Sequence, residues 1–95
     1  MKPVDKSKIV VPVGRPILSR LDLRGKRADE VEVLLDYYLN EATLANLSEV
    51  RIIHGHGTST VRQIVRDFLV GHSLVRSFRP GNREEGGDGV TVARL

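Results

Sequence analysis

Hydrophobic and polar residues recur with two different periods along this chain, and these periods predict strands and helices in turn. Residues 20–24 alternate charged and apolar side chains, which is typical of a strand with one buried face. Apolar residues then recur at helical spacing over residues 31–45 and again over residues 61–69, which predicts two amphipathic helices. Further short apolar segments predict strands at 50–54, 74–79 and 90–93.

The order of these segments predicts the fold class. Strands joined by helices run parallel with right-handed crossovers, whereas the last strand follows loop 82–89 without a helix and should run antiparallel to the third. We therefore predict an α/β two-layer sandwich of order β-α-β-α-β-β, with a mixed four-stranded sheet and two helices on one face. The glycine-rich loop is expected to be exposed and mobile. Asn46 lies near the end of the first helix, where this residue type is tolerated in the left-handed conformation.

The leading segment has a different composition. Residues 1–19 contain prolines at positions 3, 12 and 16 and a glycine at 14, which break helices, and they have no clear apolar face. We interpret residues 1–19 as a linker or leading segment and residues 20–95 as the folded domain, with residues 9–11 fitting a short edge strand. Such a leader suggests a domain cut from a longer protein.

Length and composition exclude several classes of protein. A chain of 95 residues makes one small domain, and the absence of cysteine excludes a disulfide scaffold and a thiolate metal site. No apolar run approaches the ~20 residues of a membrane span, and no signal peptide precedes the domain. We therefore expect a cytoplasmic protein that does not contact membranes.

The distribution of charge says more than its total. The net charge is +3, and residues 1–19 account for it, so the remainder of the chain is neutral. Within that remainder, residues 28–49 carry six acidic and no basic side chains, whereas residues 50–83 carry six arginines against one aspartate. Only the second stretch is a candidate for facing phosphates.

A glycine-rich segment, His54-Gly55-His56-Gly57-Thr58, lies between a predicted strand and a predicted helix. Glycines allow a sharp turn and close approach of a ligand, and a helix N-terminus attracts phosphate. Arg62 and Arg66 lie one turn apart on the polar side of that helix. The predicted nucleic-acid-binding residues are therefore Gly55, His56, Gly57, Thr58, Arg62 and Arg66. A tight turn that only needs small residues explains the segment equally well.

Candidate catalytic groups stand at the ends of two predicted parallel strands. His54 suits a general acid or base, the alternative being a structural histidine at a strand end. Arg24 suits stabilisation of phosphate charge, with Asp22 orienting Arg24 or a histidine; the alternative is an ion pair on a solvated sheet face. Ligands bind outside the carboxyl ends of parallel strands in open α/β sheets, so these residues should converge at one edge.

The residues encode no complete metal site. Two histidines and Asp22 are fewer ligands than metal-dependent phosphodiesterases gather. We predict no pre-built metal site and no firmly encoded cofactor, and we leave open that Mg²⁺ or Mn²⁺ assists.

Three motifs together resemble one family. Residues 21–25 (LDLRG), 54–58 (HGHGT) and 86–92 (GGDGVTV) are, in this order and spacing, similar to the Smr (small MutS-related) domain over about residues 20–95. The arginine at position 24 resembles the C-terminal domain of bacterial MutS-like anti-recombination proteins. In that branch the Smr domain follows an ATPase core and a linker.

The resemblance implies both a fold and an activity. The implied fold is that of the C-terminal domain of a bacterial translation initiation factor, with the last strand inserted between the second and third. The implied activity is that of an endonuclease that nicks DNA, with branched recombination intermediates as targets, RNA cleavage in some relatives and a link to collided ribosomes. By match to the motifs of the family, the resemblance implies functional roles for Asp22, Arg24, His54, Gly55 and Gly57.

Two positions depart from the family pattern. His56 stands where lysine is frequent, which predicts weaker or pH-dependent attraction of phosphate, and Ser59 stands where glycine is common but still suits a helix cap.

Two functions are compatible with these residues and motifs. The first is an endonuclease of little sequence specificity, active in DNA repair by suppressing recombination, with Asp22, Arg24 and His54 as its catalytic residues. The alternative is a non-catalytic module that delivers a MutS-like ATPase to DNA or to a ribosome.

Overall fold

The computed structural model describes residues 17–57 and 59–95. The four strands are β1 (Arg20–Asp22), β2 (Glu49–Ile53), β3 (Ser77–Pro80) and β4 (Val90–Arg94), and the two helices are α1 (Ala28–Leu44) and α2 (Ser59–Gly71). The edge strand expected at 9–11, and most of the expected linker, lie outside the described residues. Neither helix of the described part is long and apolar enough to cross a membrane.

The four strands form one mixed sheet in the order β1-β2-β4-β3. β1 pairs parallel with β2, while β4 pairs antiparallel with both β2 and β3. The predicted strand directions are therefore confirmed, and so is the insertion of the last strand between the second and third that the resemblance implied. This order makes β2 and β4 the central strands, and β4 is buried from Val90 to Ala93.

The core lies between the sheet and the two helices. Val50 and Ile52 of β2 are fully buried and pack with Leu35 and Leu39 of α1 and Val65 of α2. The intervening strand residues, such as Arg51, are exposed. This alternation puts both helices on one face of the sheet, as predicted, and no helix formed by the described residues covers the other face.

Polar contacts tie the helices to their surroundings. The hydroxyl of Tyr38 donates a hydrogen bond to the carbonyl of Leu18 over 2.5 Å, and burial raises the pKa of Tyr38 to about 12. The imidazole of His72 at the end of α2 lies 2.8 Å from the carboxylate of Asp36 on α1. Asn46 adopts the left-handed conformation after α1, with φ 62°.

The start of the third strand and the form of one loop differ from the prediction. β3 begins at Ser77, because the backbone N–H groups of Leu74 and Val75 bond to the ring and carbonyl of His72 in a turn. Loop 82–89 is not a simple exposed loop. It folds into two 3₁₀ turns, Arg83–Glu85 and Gly87–Gly89, the first closed by a capping box between Asn82 and Glu85.

Candidate active site

The two strand-end motifs meet at one edge of the sheet. Gly55 follows β2 with φ +83°, and a Cβ atom there would lie 3.3 Å from Cγ of Arg24, which follows β1. The aliphatic part of Arg24 therefore lies over the backbone of Gly55. This convergence was expected from the parallel pairing of β1 and β2.

Asp22 and Arg24 form an exposed, fork-like ion pair. Nη2 of Arg24 donates to Oδ2 of Asp22 over 2.7 Å, and both Nε and the backbone N–H of Arg24 donate to Oδ1 over 3.0 Å. These hydrogen bonds lower the pKa of Asp22 to about 2. Asp22 is therefore a carboxylate at neutral pH and a weak base, and its effect is to orient the guanidinium.

His54 is buried rather than open to a ligand. Only 5% of the residue is exposed, and its Nε2 lies 2.9 Å from Oγ1 of Thr91 on β4. Its Nδ1 lies 3.2 Å from the carbonyl oxygen of Gly55, to which the ring N–H donates. Burial lowers the pKa of His54, and the charges of Arg66 and Arg62 add to this. The ring is therefore neutral at pH 7, with Nε2 accepting from the Thr91 hydroxyl.

Strand alternation separates His54 from the ion pair. The buried residues Val50, Ile52 and His54 follow one another at every second position, so His54 faces the helices. Asp22 is exposed and pairs in register with Ile53, and both lie on the face of the sheet opposite to the one that carries His54. The predicted catalytic residues thus share an edge, but their side chains lie on different faces. The alternation was visible in the sequence and would have given this result.

His56 is the exposed imidazole at this edge. A Cβ atom at Gly89 would lie 2.7 Å from Cε1 of His56, so the ring packs directly on that glycine. A crevice of about 370 Å³ runs along one side of Gly55 and His56, and it is lined by Arg24, Ile53, Gly55, His56, Glu85, Gly86, Gly89 and Val90. A second, of about 480 Å³, is lined by Arg24, Gly25, Lys26, His54, Gly55, His56, Gly57 and Val61. His56 was predicted to bind phosphate, and the structure places its ring in the same two crevices as Arg24.

The glycine segment offers fewer backbone donors than its sequence suggested. The N–H groups of His54 and Gly55 both donate to the carbonyl of Gly89, over 3.0 and 2.9 Å. No heavy atom lies within 4 Å of a Cβ atom built on Gly57. A bound anion would therefore meet the backbone at His56 and Gly57. Thr58 lies outside the described residues.

Arg62 and Arg66 approach the site from the helix side. The pKa of His54 is lowered mainly by burial, and the positive charges of Arg66 and Arg62 lower it further. Both arginines therefore lie near that buried ring. Arg66 also lines a separate cleft of about 200 Å³ with Phe78, Arg79, Pro80 and Thr91. Neither arginine lines the two crevices beside Arg24.

The residues at this edge do not fit a pre-built divalent cation site. Within residues 17–57 and 59–95, no three histidine, aspartate or glutamate side chains come together closely enough to hold a metal ion. Asp22 is already engaged by Arg24.

Comparison with known proteins identifies the family. The model of the Smr domain matches residues 21–95. The chain belongs to the Smr domain family. This Smr domain spans only about a tenth of the length of the relatives that it matches.

Two relatives and two solved structures are especially informative. "Endonuclease MutS2" of Clostridium botulinum is 48% identical over 81 residues, covering 85% of this chain and 10% of that protein. "Endonuclease MutS2" of Bacillus cytotoxicus is 44% identical over 96 residues, covering 99% of this chain and 12% of that protein. The Smr domain of Thermus thermophilus MutS2 superposes with a TM-score of 0.79 at 40% identity, over 82% of this chain and 98% of that one. YdaL, a stand-alone small MutS-related protein of Escherichia coli, shares the fold, with a TM-score of 0.79 at 24% identity over 87% of this chain and 69% of that one.

Proposed function

We propose that this Smr domain is the endonuclease domain of a longer MutS-like protein and that it hydrolyses phosphodiester bonds in the crevices beside Arg24. One observation carries the proposal. Arg24, whose guanidinium is oriented by Asp22 and whose aliphatic part lies over Gly55, lines the same crevices as the exposed imidazole of His56. The names of the relatives, which are MutS2 endonucleases, support it.

Arg24 binds the scissile phosphate in this proposal. A guanidinium presents planar donors that match two phosphate oxygens, and its charge stabilises the additional negative charge of the transition state. Asp22 is a positioning residue, because its carboxylate holds Nε and Nη2 and leaves the Nη1 edge directed to a ligand. Backbone N–H groups of His56 and Gly57 add donors, and Thr58, Arg62 and Arg66 extend the contact with phosphates.

His56 transfers the proton. Water attacks phosphorus, the bond to the leaving sugar oxygen breaks, and that oxygen takes a proton from the imidazolium of His56 while the attacking water loses its proton to solvent. For His54, the motif match favours a catalytic role, but both ring nitrogens are engaged by Thr91 and Gly55. Direct proton transfer by His54 would require those hydrogen bonds to open. Its contacts therefore favour a role in which His54 positions the backbone of Gly55.

The substrate we propose is DNA, which the domain nicks with little sequence specificity. Among the described residues, no phenylalanine, tyrosine or tryptophan lines the two crevices, which argues against a platform for stacking bases there. Within a full-length MutS-like ATPase, such nicking of branched DNA would suppress recombination in the cytoplasm or nucleoid of a bacterium. RNA, or a ribosome, is the second substrate class to test.

A non-catalytic binding module is the alternative, and two observations favour it. The pKa of Asp22 is held at about 2 by its bonds to Arg24, which makes it a poor base, and His54 is buried. Arginine contacts alone would then attach a MutS-like ATPase to DNA or to a ribosome.

A nicking assay separates these functions. Supercoiled plasmid and a structured RNA are incubated with the wild type and with His56→Ala, His54→Ala and Arg24→Ala, each with Mg²⁺, with Mn²⁺ and with EDTA. Binding of the same polymers is measured in parallel. We expect cleavage that R24A and H56A lose while H56A keeps most of its affinity. If the wild type binds a polymer but cleaves neither one under any condition, the domain is the binding module.

A further inference from the structure

The sheet face without helices carries a row of arginines. Strand register pairs Arg20 with Arg51, Arg51 with Val92, and Val92 with Arg79. Residues paired in register project to the same face, and neighbouring strands lie about 4.8 Å apart, so the row crosses the whole sheet over about 14 Å. All three arginines are exposed.

The centre of this face is formed by Val92 and Val90, and its described strand residues include no aromatic side chain. Val92 is fully buried and Val90 is 5% exposed, although no helix covers this face. The other strand residues of the same face are Asp22, Glu49, Ile53, Ser77 and Arg94. Without an aromatic platform for successive unpaired bases, the arginines of this face are better suited to contacts with phosphates.

Carboxylates neutralise one end of the row and leave the other exposed. Arg79 donates to Glu85 through Nη1 over 2.6 Å and through Nη2 over 2.9 Å. Within the described part of the chain, neither Arg20 nor Arg51 forms an ion pair with a carboxylate. Two guanidinium groups on neighbouring strands therefore remain available to an anionic partner.

The row is continuous with the crevice beside Arg24. Glu85 has a pKa of about 2, chiefly because of its hydrogen bonds with Arg79, and the charge of Arg51 contributes. Arg51 also lies two residues before Ile53 on the same face of β2, and Ile53 lines the crevice together with Arg24 and Glu85. A phosphate backbone that occupies the crevice can continue onto the row without crossing an uncovered carboxylate of Glu85 or Asp22, since both are engaged by arginines.

We propose that this open sheet face is a second contact surface for the phosphate backbone of duplex DNA, with Arg20 and Arg51 as its principal contacts. The inference rests on the proposed action on nucleic acid and specifies where the substrate lies beyond the scissile phosphate. A duplex presents its phosphates on its outside and keeps its bases stacked, which matches a charged face without aromatic rings.

The test compares two double variants of equal charge. Arg20→Gln/Arg51→Gln removes the two exposed guanidinium groups of the row, and Arg27→Gln/Arg76→Gln removes two exposed arginines elsewhere. Affinity for a duplex DNA and for a single strand of the same sequence is measured at several salt concentrations, after thermal melting has checked each fold. We expect R20Q/R51Q to weaken duplex binding at least about tenfold and to lower the log–log salt slope by about 2, whereas R27Q/R76Q changes both much less.

A labelling experiment provides a second, independent readout. The chain contains no cysteine, so a single fluorophore can be attached at Ser77→Cys on the open face or at Ser73→Cys in the turn after α2. Duplex DNA should alter the emission at position 77 and leave position 73 unchanged.

The outcomes separate the inference from the proposed function. If the wild type binds duplex DNA and both double variants bind it equally well, the open-face proposal is wrong while the endonuclease proposal stands. Equal loss of duplex and single-strand affinity in R20Q/R51Q would also contradict a duplex-specific face. If the wild type binds no nucleic acid, both proposals fall.

Discussion

Nε2 of His54, at the end of β2, lies 2.9 Å from Oγ1 of Thr91 on the central strand β4. Both groups are almost completely inaccessible, with His54 5% exposed and Thr91 0% exposed. The bond joins the start of the glycine segment to the middle of the sheet. Because this bond engages one ring nitrogen, proton transfer by Nε2 of His54 would require the bond to open.

Removing the Thr91 hydroxyl should destabilise the domain. Thr91→Val keeps the shape of the side chain but leaves Nε2 of His54 buried without a donor, which costs about 1–3 kcal/mol. Urea unfolding monitored by circular dichroism measures this loss.

Thr43→Val is the matched control. The Thr43 hydroxyl is buried on α1 and has no hydrogen-bond partner in the described part of the chain. Removing this hydroxyl breaks no hydrogen bond and eliminates the cost of burying an unpaired polar group, so T43V should be neutral or stabilising. Equal destabilisation of T91V and T43V would contradict the importance of the His54–Thr91 bond.

Stability should fall as the pH drops below about 6.5, the ordinary pKa of histidine. Burial lowers the pKa of His54 in the folded state, so in this range the unfolded chain binds more protons than the folded chain. The contribution of neutral His54 to the free energy of unfolding is therefore complete above the pKa of histidine in the unfolded chain, and it is lost as the pH decreases. Melting temperatures between pH 8 and pH 5 should decrease more in the wild type than in His54→Gln. Parallel curves for the two proteins would show that another group is responsible.

A second loss of stability is expected at lower pH. Hydrogen bonds with Arg24 and with Arg79 lower the pKa values of Asp22 and Glu85, respectively, to about 2. Their stabilising effect is present above about pH 4, where these carboxylates also ionise in the unfolded chain, and it is lost as the pH falls towards 2. Glu85→Gln should reduce the dependence of the melting temperature on pH in this range. An unchanged dependence would mean that the Arg79 ion pair is too exposed to matter.

Glycines of the site should differ sharply in their tolerance of alanine. Gly86 has φ +115°, and a Cβ atom there would lie 2.6 Å from Cγ2 of Val90, so Gly86→Ala should cost about 1–3 kcal/mol through strain and overpacking. Gly57 has open space around its Cα, so Gly57→Ala should fold normally but weaken DNA binding if a phosphate approaches its backbone. Unfolding curves and binding titrations of both variants test this. A G57A variant with full affinity would exclude a phosphate at that position.

Orientation of Arg24 by Asp22 should be visible in the kinetics. Arg24→Lys cannot form the fork with Asp22 and should lower kcat by about 10²–10³, the effect of removing one donor to a transition-state oxyanion. Asp22→Asn leaves the guanidinium in place but loosens it, so it should reduce kcat more than it raises KM, and Asp22→Glu should restore part of the loss. Rates of plasmid nicking measure both parameters. An effect of D22N on KM alone would assign Asp22 to substrate binding.

Much of the fold could be predicted from local patterns. Alternation at 20–24 and 50–54 and apolar stripes over 31–45 and 61–69 report which residues face a core, because burial follows the period of each element. The same alternation, applied to Val50, Ile52 and His54, would also have predicted that His54 faces the helices. Its assignment as a general acid or base rested on its place at a strand end and on the chemistry of an imidazole, and the motif match supported it.

Residue types and their periodicity are sufficient for the order of elements, the strand directions and the edge at which the motifs gather, since these depend on neighbours along the chain. Residue types and periodicity do not predict the insertion of β4 between β2 and β3 or the arginine row across the open face. Nor do they predict the hydrogen bonds from the N–H groups of His54 and Gly55 to the carbonyl of Gly89. Each of these depends on pairing between residues that are distant in sequence. Such pairing is selected by the packing and hydrogen bonding of the whole sheet, which no local pattern records.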